Sequence, residues 1–194
     1  MDKQKKQRPA WLILLLITLI AGLALGGVSE LTKEPIAAQA SAQEEAARRS
    51  VLPGAETFVR VEFAEGTALD WCYQGLDAAQ NTVGYACQII VKGFGGEVAV
   101  IAGVEPDGKV TGLSVGGSAF SETPGLGARS KDAAFTGQFA GKTAPMTVIK
   151  KGETASDSTV DAITSATITS RAVTGGVNEI AACVLDIVSA APAQ

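Results

Sequence analysis

The hydrophobic pattern opens with an unbroken apolar run from Ala10 to Val28, in which Thr18 is the only polar side chain. Its 19 residues match the ~20 that a membrane-spanning helix needs. Glu30 to Lys33 extends that helix as far as Pro35. Ile36 to Ser50 is then rich in Ala, Gln, Glu and Arg, good helix formers with little apolar face, which predicts a solvated helical stalk. Pro53-Gly54 stops it.

The period then changes to that of strands. Thr57–Phe63 is rich in β-branched and aromatic residues, and Leu69–Tyr73 and Gly84–Val91 follow in the same style. Gly93-Phe94-Gly95-Gly96 breaks the third strand. Val98–Val104 and Val110–Val115 are joined through Pro106-Asp107-Gly108, a strong hairpin signal. Ser118–Gly127 has too many Gly, Ser and Pro residues for either period and reads as a long loop, of the kind that carries function. Lys131–Phe139 predicts a short helix, Met146–Ile149 a further strand and Gly152–Asp157 a polar turn. The chain closes with an apolar stripe at Val173, Val177, Ile180, Val184 and Ile187, the three-and-four spacing of one helix face, which fades at Ala190-Ala191-Pro192. Gly175-Gly176 inside that helix costs ~1 kcal/mol per Gly relative to Ala, which implies close packing or a kink there.

These elements predict an α+β chain. One N-terminal transmembrane helix precedes a single extracytoplasmic mixed α/β domain. The expected divisions are a basic tail at 1–9, the span at 10–28, the stalk at 29–54 and the domain at 55–190. Charge sets the orientation. Residues 1–8 hold Lys3, Lys5, Lys6 and Arg8 against Asp2, a net +3, so the remainder carries −7 of the overall −4. The positive-inside rule then puts the N-terminus in the cytoplasm and the domain outside. A cleaved signal peptide has an apolar region of roughly 7–15 residues with its cleavage site close behind. Ala38-Gln39-Ala40 and Ala40-Ser41-Ala42 lie ten or more residues beyond the run, so the length favours a retained anchor. The acidic domain argues against a nucleic-acid partner, whose binding needs clustered Lys and Arg.

The chain has no His and no CxxC pair, which sets aside the usual zinc and haem sites and any Ser/His or Cys/His nucleophile. Cys72 and Cys87 fit either a bridge across a hairpin or buried free thiols, and Cys183 leaves the count odd. Gly137–Thr143 has three residues between its glycines where a phosphate-binding Gly-x-x-x-x-Gly-Lys loop needs four, so Gly141-Lys142 reads as a helix C-cap. Gly125–Ser130 lacks the third Gly of a dinucleotide fingerprint. Five of the ten residues in Asp161–Ser170 carry hydroxyls just ahead of the closing helix. Ser and Thr there suit N-capping, and the same exposed N–H groups and dipole suit a phosphate. Glu122 is the one carboxylate of the Ser118–Gly127 loop.

Asp161-Ala162-Ile163-Thr164-Ser165-Ala166-Thr167 resembles the flavinylation motif Asp-x-x-[Ser/Thr]-Gly-Ala-Thr, with Ser165 in place of the usual Gly, a residue that permits φ > 0. Gly93–Gly96 is similar to the same family's Gly-[Tyr/Phe]-Gly-Gly turn, and Glu122-Thr123-Pro124-Gly125-Leu126-Gly127 matches its Glu-Thr-Pro-Gly-Leu-Gly loop. With the basic-flanked anchor and Glu30-Leu31-Thr32-Lys33, the whole chain resembles the G-subunit family of Rnf electron-transport complexes, ion-translocating ferredoxin:NAD⁺ oxidoreductases. The related C-type component of the sodium-translocating NADH:quinone reductase has the same domain but fits the length and layout less well.

The resemblance implies an electron-transfer subunit in the cell (inner) membrane, with an FMN-binding domain whose FMN is joined by its phosphate to Thr167. It also implies that Glu122, Thr123, Gly125, Leu126, Thr164, Ser165 and Ala166 lie at the cofactor. The implied partners are the other membrane subunits of the complex and a flavin transferase. The flavin would carry the electron chemistry while the protein supplies placement. Against it stand a non-redox extracytoplasmic binding module and a free-standing flavin reductase, the latter disfavoured because no nicotinamide-binding fingerprint is present.

Overall fold

A computed structural model describes residues 9–63, 66–150 and 152–190; the basic charges of residues 3–8 and the closing Ala191-Pro192 lie outside them. The chain divides into two compact units, Met1–Ala42 and Gln43–Gln194. Helix α1, Ala10–Val51, begins in the first and ends in the second. In the first unit the helix contains an apolar window of mean hydropathy 2.5, none of it buried, which is long and apolar enough to cross a membrane. Pro35 does not end the helix, although it removes one backbone N–H and crowds the preceding turn. Thr18 and Thr32 turn their hydroxyls back onto carbonyls three and four residues earlier, which satisfies them within the helix.

The second unit is built on a five-stranded antiparallel sheet in simple meander order: β1 Thr57–Arg60, β2 Leu69–Leu76, β3 Thr82–Lys92, β4 Glu97–Val104 and β5 Val110–Gly116. The first strand is shorter than its apolar pattern predicts and the second longer. Pairing to β2 runs from Thr57 to Arg60, and one further bond, Val61 N–H to Cys72 O, continues the ladder beyond the regular strand. The Pro106-Asp107-Gly108 turn is found where the sequence puts it, with Gly108 at φ 87° and its N–H on Glu105 O.

One face of the sheet packs on α3, Thr167–Ala190. Tyr85, Cys87 and Ile89 of β3 and Val98, Val100, Ala102 and Val104 of β4 meet the helix stripe. Val173, Val177, Ile180 and Val184 are fully buried, and Ile187 packs at the edge of the same cluster. Each such side chain contributes about 1.5–3 kcal/mol. The helix is also apolar enough to span a membrane by composition, but its stripe is spent on the sheet. Gly176 is there for close approach, since a Cβ would lie 2.9 Å from Val91 Cγ1 and 3.1 Å from Ile89 Cγ2, whereas Gly175 faces open space.

The opposite face of the sheet receives the last turns of α1. The stalk is exposed at most positions through Ala46, Ala47 and Arg48 are half-buried, and Val51 and Leu52 are buried. Val51 packs with Trp71, Ala86 and Ile101. Thr111 Oγ1 donates to Val51 O at 2.5 Å. Gly103 and Gly112 admit the Val51 backbone; a Cβ on Gly103 would lie 2.2 Å from Val51 O. Arg48 lies over the Tyr73 ring at 4.1 Å. Cys72 and Cys87 sit directly opposite one another on β2 and β3 and form a disulfide, which selects the hairpin bridge over two free thiols. Cys183 is free and half-buried. Burial first, and then the nearby Glu179 and Asp186 charges, push its thiol pKa up.

Between β5 and α3 the sequence is least informative. Lys131–Phe139 is not one helix. A 3₁₀ turn covers Gly127–Lys131, and α2 is the single turn Ala133–Thr136, with Phe135 and Phe139 edge-to-face in the core. Gly141 is therefore no helix C-cap; it takes φ 81° in a turn whose N–H reaches Val110 O. The expected strand is β6, Thr147–Ile149, and it pairs in parallel with β7, Thr159–Asp161, which the sequence did not reveal. Side-chain amides finish this small sheet. Gln138 accepts from Asp161 N–H at 2.8 Å and donates to Asp161 O at 3.4 Å. Asn178 of α3 pairs in the same way with Met146, at 2.8 Å in both bonds.

The paired glycines of α3 make a direct test. Gly176→Ala is expected to destabilise by about 1–3 kcal/mol through overpacking, and Gly175→Ala to stabilise by up to ~1 kcal/mol through helix propensity. Chemical denaturation of the full chain in detergent, followed by tryptophan fluorescence, checks both signs.

Candidate functional site

The site forms where two loops and the start of α3 meet. The first loop is the β3–β4 turn. Gly93 N–H donates to Gly96 O at 2.8 Å, closing the turn, and Phe94 stands on it. The second loop contains Glu122, whose side chain is only 6% exposed. Its Oε1 accepts from Phe94 N–H at 2.7 Å and from Gly95 N–H at 3.2 Å. A carboxylate taken out of water requires such donors. Glycine makes room for it on two sides. A Cβ at Gly93 would lie 2.1 Å from Glu122 Oε1, and one at Gly127 would lie 1.9 Å from Oε2.

The third component is the turn that leads into α3. Ala166 N–H reaches Ile163 O at 2.9 Å, so residues 163–166 close a turn. Its third residue, Ser165, has φ 64°. Ser170 braces the turn from within the helix: its Oγ accepts from Ile163 N–H at 3.0 Å and donates to Ala166 O at 2.9 Å. The helix starts at Thr167. The residue ahead of it, Ala166, has no side-chain oxygen. The expected Ser or Thr N-cap is thus replaced by an apolar residue, and no side chain caps the N–H groups of the first turn. Those groups and the helix dipole favour an anion at this point.

Between these pieces lies a cleft of about 340 Å³, lined by Glu122, Thr123, Leu126, Ser165, Ala166 and Thr167 together with Phe94, Gly127, Ile168 and Thr169. Its volume is within the usual ~300–1,000 Å³ of small-molecule sites. Six of the eight residues expected at a cofactor meet there. The other two do not line it. Gly125 makes the loop's turn at φ 78°. Thr164 faces a neighbouring polar depression of about 480 Å³ with Arg129, Asp132, Gln138 and Asp161. Asp161 ends β7.

Thr169 is a residue that sequence reasoning missed. It is 1% exposed, its hydroxyl has no hydrogen-bond partner, and it lines the cleft. Only its place two residues beyond Thr167 marks it in the sequence. Phe94, Gly127 and Ile168 were also absent from the expected set, although two of them stand inside recognised motifs. No group of three or more His, Cys, Asp or Glu side chains suited to a metal occurs among the described residues.

The donor set fits a flavin mononucleotide. A hydroxyl and free N–H groups stand at a helix start, where a phosphate sits well. An unpartnered buried hydroxyl and a carboxylate offer hydrogen bonds, and apolar side chains flank the opening.

Comparison with known proteins agrees. The family described as FMN-binding domain matches residues 93–182, which take in every cleft residue. The chain is 34% identical over 184 residues to the G component of the proton-translocating ferredoxin:NAD(+) oxidoreductase complex of Clostridium ljungdahlii, covering 92% of this chain and 94% of that protein. It is 35% identical over 181 residues to the G component of the Na(+)-translocating ferredoxin:NAD(+) oxidoreductase complex of Acetobacterium woodii, covering 86% of each. Among solved structures, Shewanella oneidensis NqrC aligns with a TM-score of 0.55 at 19% identity, over 72% of this chain and 73% of that one. The C component of the Na(+)-translocating NADH-quinone reductase from Parabacteroides distasonis aligns with a TM-score of 0.53 at 21% identity, over 71% and 80%. These two likenesses establish a shared fold.

Ser165 carries a prediction. A non-glycine residue at φ 64° is strained by roughly 1–2 kcal/mol, against a glycine entropy cost of roughly 0.5–1 kcal/mol. Ser165→Gly is therefore expected to stabilise the domain by about 0.5–1 kcal/mol, measured as a rise in denaturation midpoint at unchanged slope.

Proposed function

The chain belongs to the G-subunit family of ion-translocating ferredoxin:NAD(+) oxidoreductase complexes, and from that footing we propose that it is a membrane-anchored flavoprotein which carries electrons through an FMN held as a phosphoester on Thr167. The observation that carries this reading is the meeting, in one cleft, of the Glu122–Gly127 loop with Ser165, Ala166 and Thr167, some forty residues apart in the chain. FMN supplies one- and two-electron redox chemistry; the protein holds it.

Thr167 is half-buried at the first position of α3, so a phosphate on its Oγ sits at the positive end of the helix dipole. Ala166 and Ser165 bring the turn close beneath it. Glu122 and Thr123 present oxygen atoms inside the cleft, and Leu126 covers its wall. Gly125 and Thr164 act at one remove, Gly125 by shaping the loop and Thr164 from the adjoining depression.

Attachment is the work of a flavin transferase. The pyrophosphate bond of FAD breaks, AMP leaves, and the Thr167 hydroxyl gives up its proton as its oxygen bonds to the FMN phosphorus. A cofactor joined in this way stays with the protein outside the cytoplasm. The orientation is one pass through the inner membrane, with the N-terminus inside and the domain outside. Three features support it: the basic flank of the apolar run, the span itself and the Cys72–Cys87 disulfide, a bond that persists in oxidising compartments. The anchor keeps the domain beside the other membrane subunits, which raises its effective concentration toward them. Identity and coverage favour the G-type protein over its C-type counterpart in the NADH:quinone reductase, whose likeness is one of fold.

The test is co-expression with a flavin transferase followed by a denaturing gel. Wild-type protein is expected to give a fluorescent band and Thr167→Ala none, with the variant still folded. A fluorescent band that survives in Thr167→Ala would sink the assignment of that residue. A colourless wild type made with active transferase would sink the flavoprotein reading in favour of a binding module.

A further inference from the structure

Exposed apolar side chains are not spread evenly over the second unit. Among its described residues the large ones are Val59, Ile90, Phe94, Leu126, Ile168 and Leu185, and three of these six line the cleft described above. Phe94 is 70% exposed, Ile168 57% and Leu126 40%. Isolated exposed hydrophobic residues are ordinary, but three around one cleft mark a surface kept for an apolar ligand. Phe94 is the only aromatic residue among those lining the cleft.

The ring of Phe94 has no place in the core, so its position depends on its backbone, and the backbone is held by Glu122. Oε1 of that buried carboxylate takes both Phe94 N–H and Gly95 N–H. The turn is pressed against the same loop at Gly95, where a Cβ would lie 2.2 Å from Ser121 O. Two consecutive N–H groups converging on one carboxylate oxygen fix the direction in which the side chain between them leaves the chain. Ile168, one residue beyond Thr167 on the first turn of α3, lines the same cleft.

We propose that Phe94 is the face on which the isoalloxazine ring of the FMN stacks, with Ile168 opposing it, and that Glu122 is the positioning residue that holds Phe94 in place. The inference rests on the flavoprotein reading and adds to it the residues that orient the ring. Stacked aromatic systems gain from offset contact beyond simple burial, and the ring of a flavin tethered through Thr167 needs such a wall to have a defined orientation. Glu122 acts through the 93–96 turn, so its effect on the ring is indirect.

The full-length flavinylated protein tests this in detergent, with the flavin itself as the probe. Two readouts are used: the ratio of native to unfolded flavin fluorescence, and the visible circular dichroism of the flavin, which requires an asymmetric fixed environment. An indole in contact with a flavin quenches it, so Phe94→Trp is expected to lower the fluorescence ratio several-fold, while Val59→Trp, at an exposed site on β1 away from the cleft, leaves it unchanged. Phe94→Ala is expected to lose most of the flavin dichroism and Phe94→Tyr to keep it. In the Phe94→Trp background, Glu122→Ala is expected to restore fluorescence by releasing the turn. Glu122→Gln, whose amide oxygen still accepts both N–H groups, is expected to remain quenched. An unchanged ratio in Phe94→Trp together with wild-type dichroism in Phe94→Ala overturns the stacking assignment. Quenching that persists in Phe94→Trp with Glu122→Ala overturns the role of Glu122. In each of these outcomes the protein still carries its flavin, so the flavoprotein reading stands.

Discussion

A buried carboxylate has few stable environments, and most of the site follows from giving one to Glu122. It must have donors, and the nearest are backbone N–H groups in a turn 28 residues earlier in the chain. Reaching them requires that the turn and the Glu122 loop touch. Contact at that distance excludes side chains at Gly93, Gly95 and Gly127. The glycines in these two segments are thus a packing requirement around one charged group. Once the contact is made, the β3–β4 turn and the loop form one wall of a cleft. The other wall is the helix start itself, held by Ser170.

The two halves of the second unit were unequally legible in the sequence. The β4–β5 hairpin could be read because Pro106-Asp107-Gly108 leaves the backbone few alternatives. The α3 stripe could be read because Val173, Val177, Ile180 and Val184 repeat at helical spacing, and all four are buried. The segment between was opaque for a physical reason. Phe135 and Phe139 mimic a helical face, yet they are held by tertiary packing after a single turn of helix. Strand β7 is three residues long, two of them polar, and gains its identity from its partner β6 and from Gln138. The docking of Val51 and Leu52 on the sheet was hidden because glycines receive them, and a glycine in a strand leaves no hydrophobic signal.

The candidate site was legible in part. A linear motif names Thr167 and its neighbours, and a second motif names the Glu122 loop. Neither states that the two meet, nor that Thr164 turns to a different depression from Thr167. Thr169 escapes any linear reading, because nothing in the sequence separates an orphaned hydroxyl from a capped one. Ser165 shows the opposite case. The family's glycine there implies a positive φ, and the chain keeps that conformation with a serine.

The two amide side chains at the small parallel sheet have a further consequence. Gln138 offers Asp161 one acceptor and one donor, the same pair that a neighbouring peptide unit would offer. It stands where the next strand would pair. A strand edge with free N–H and C=O groups invites pairing with other chains. Here that edge is closed by a side chain anchored beyond α2, and Asn178 pairs with the backbone of Met146, just ahead of β6, in the same fashion. Lys142 closes the same edge of β7 with a charge, donating from Nζ to Thr159 O at 2.8 Å, so side chains rather than a further strand satisfy these backbone groups. A strand added at the β7 edge would first have to displace these side chains.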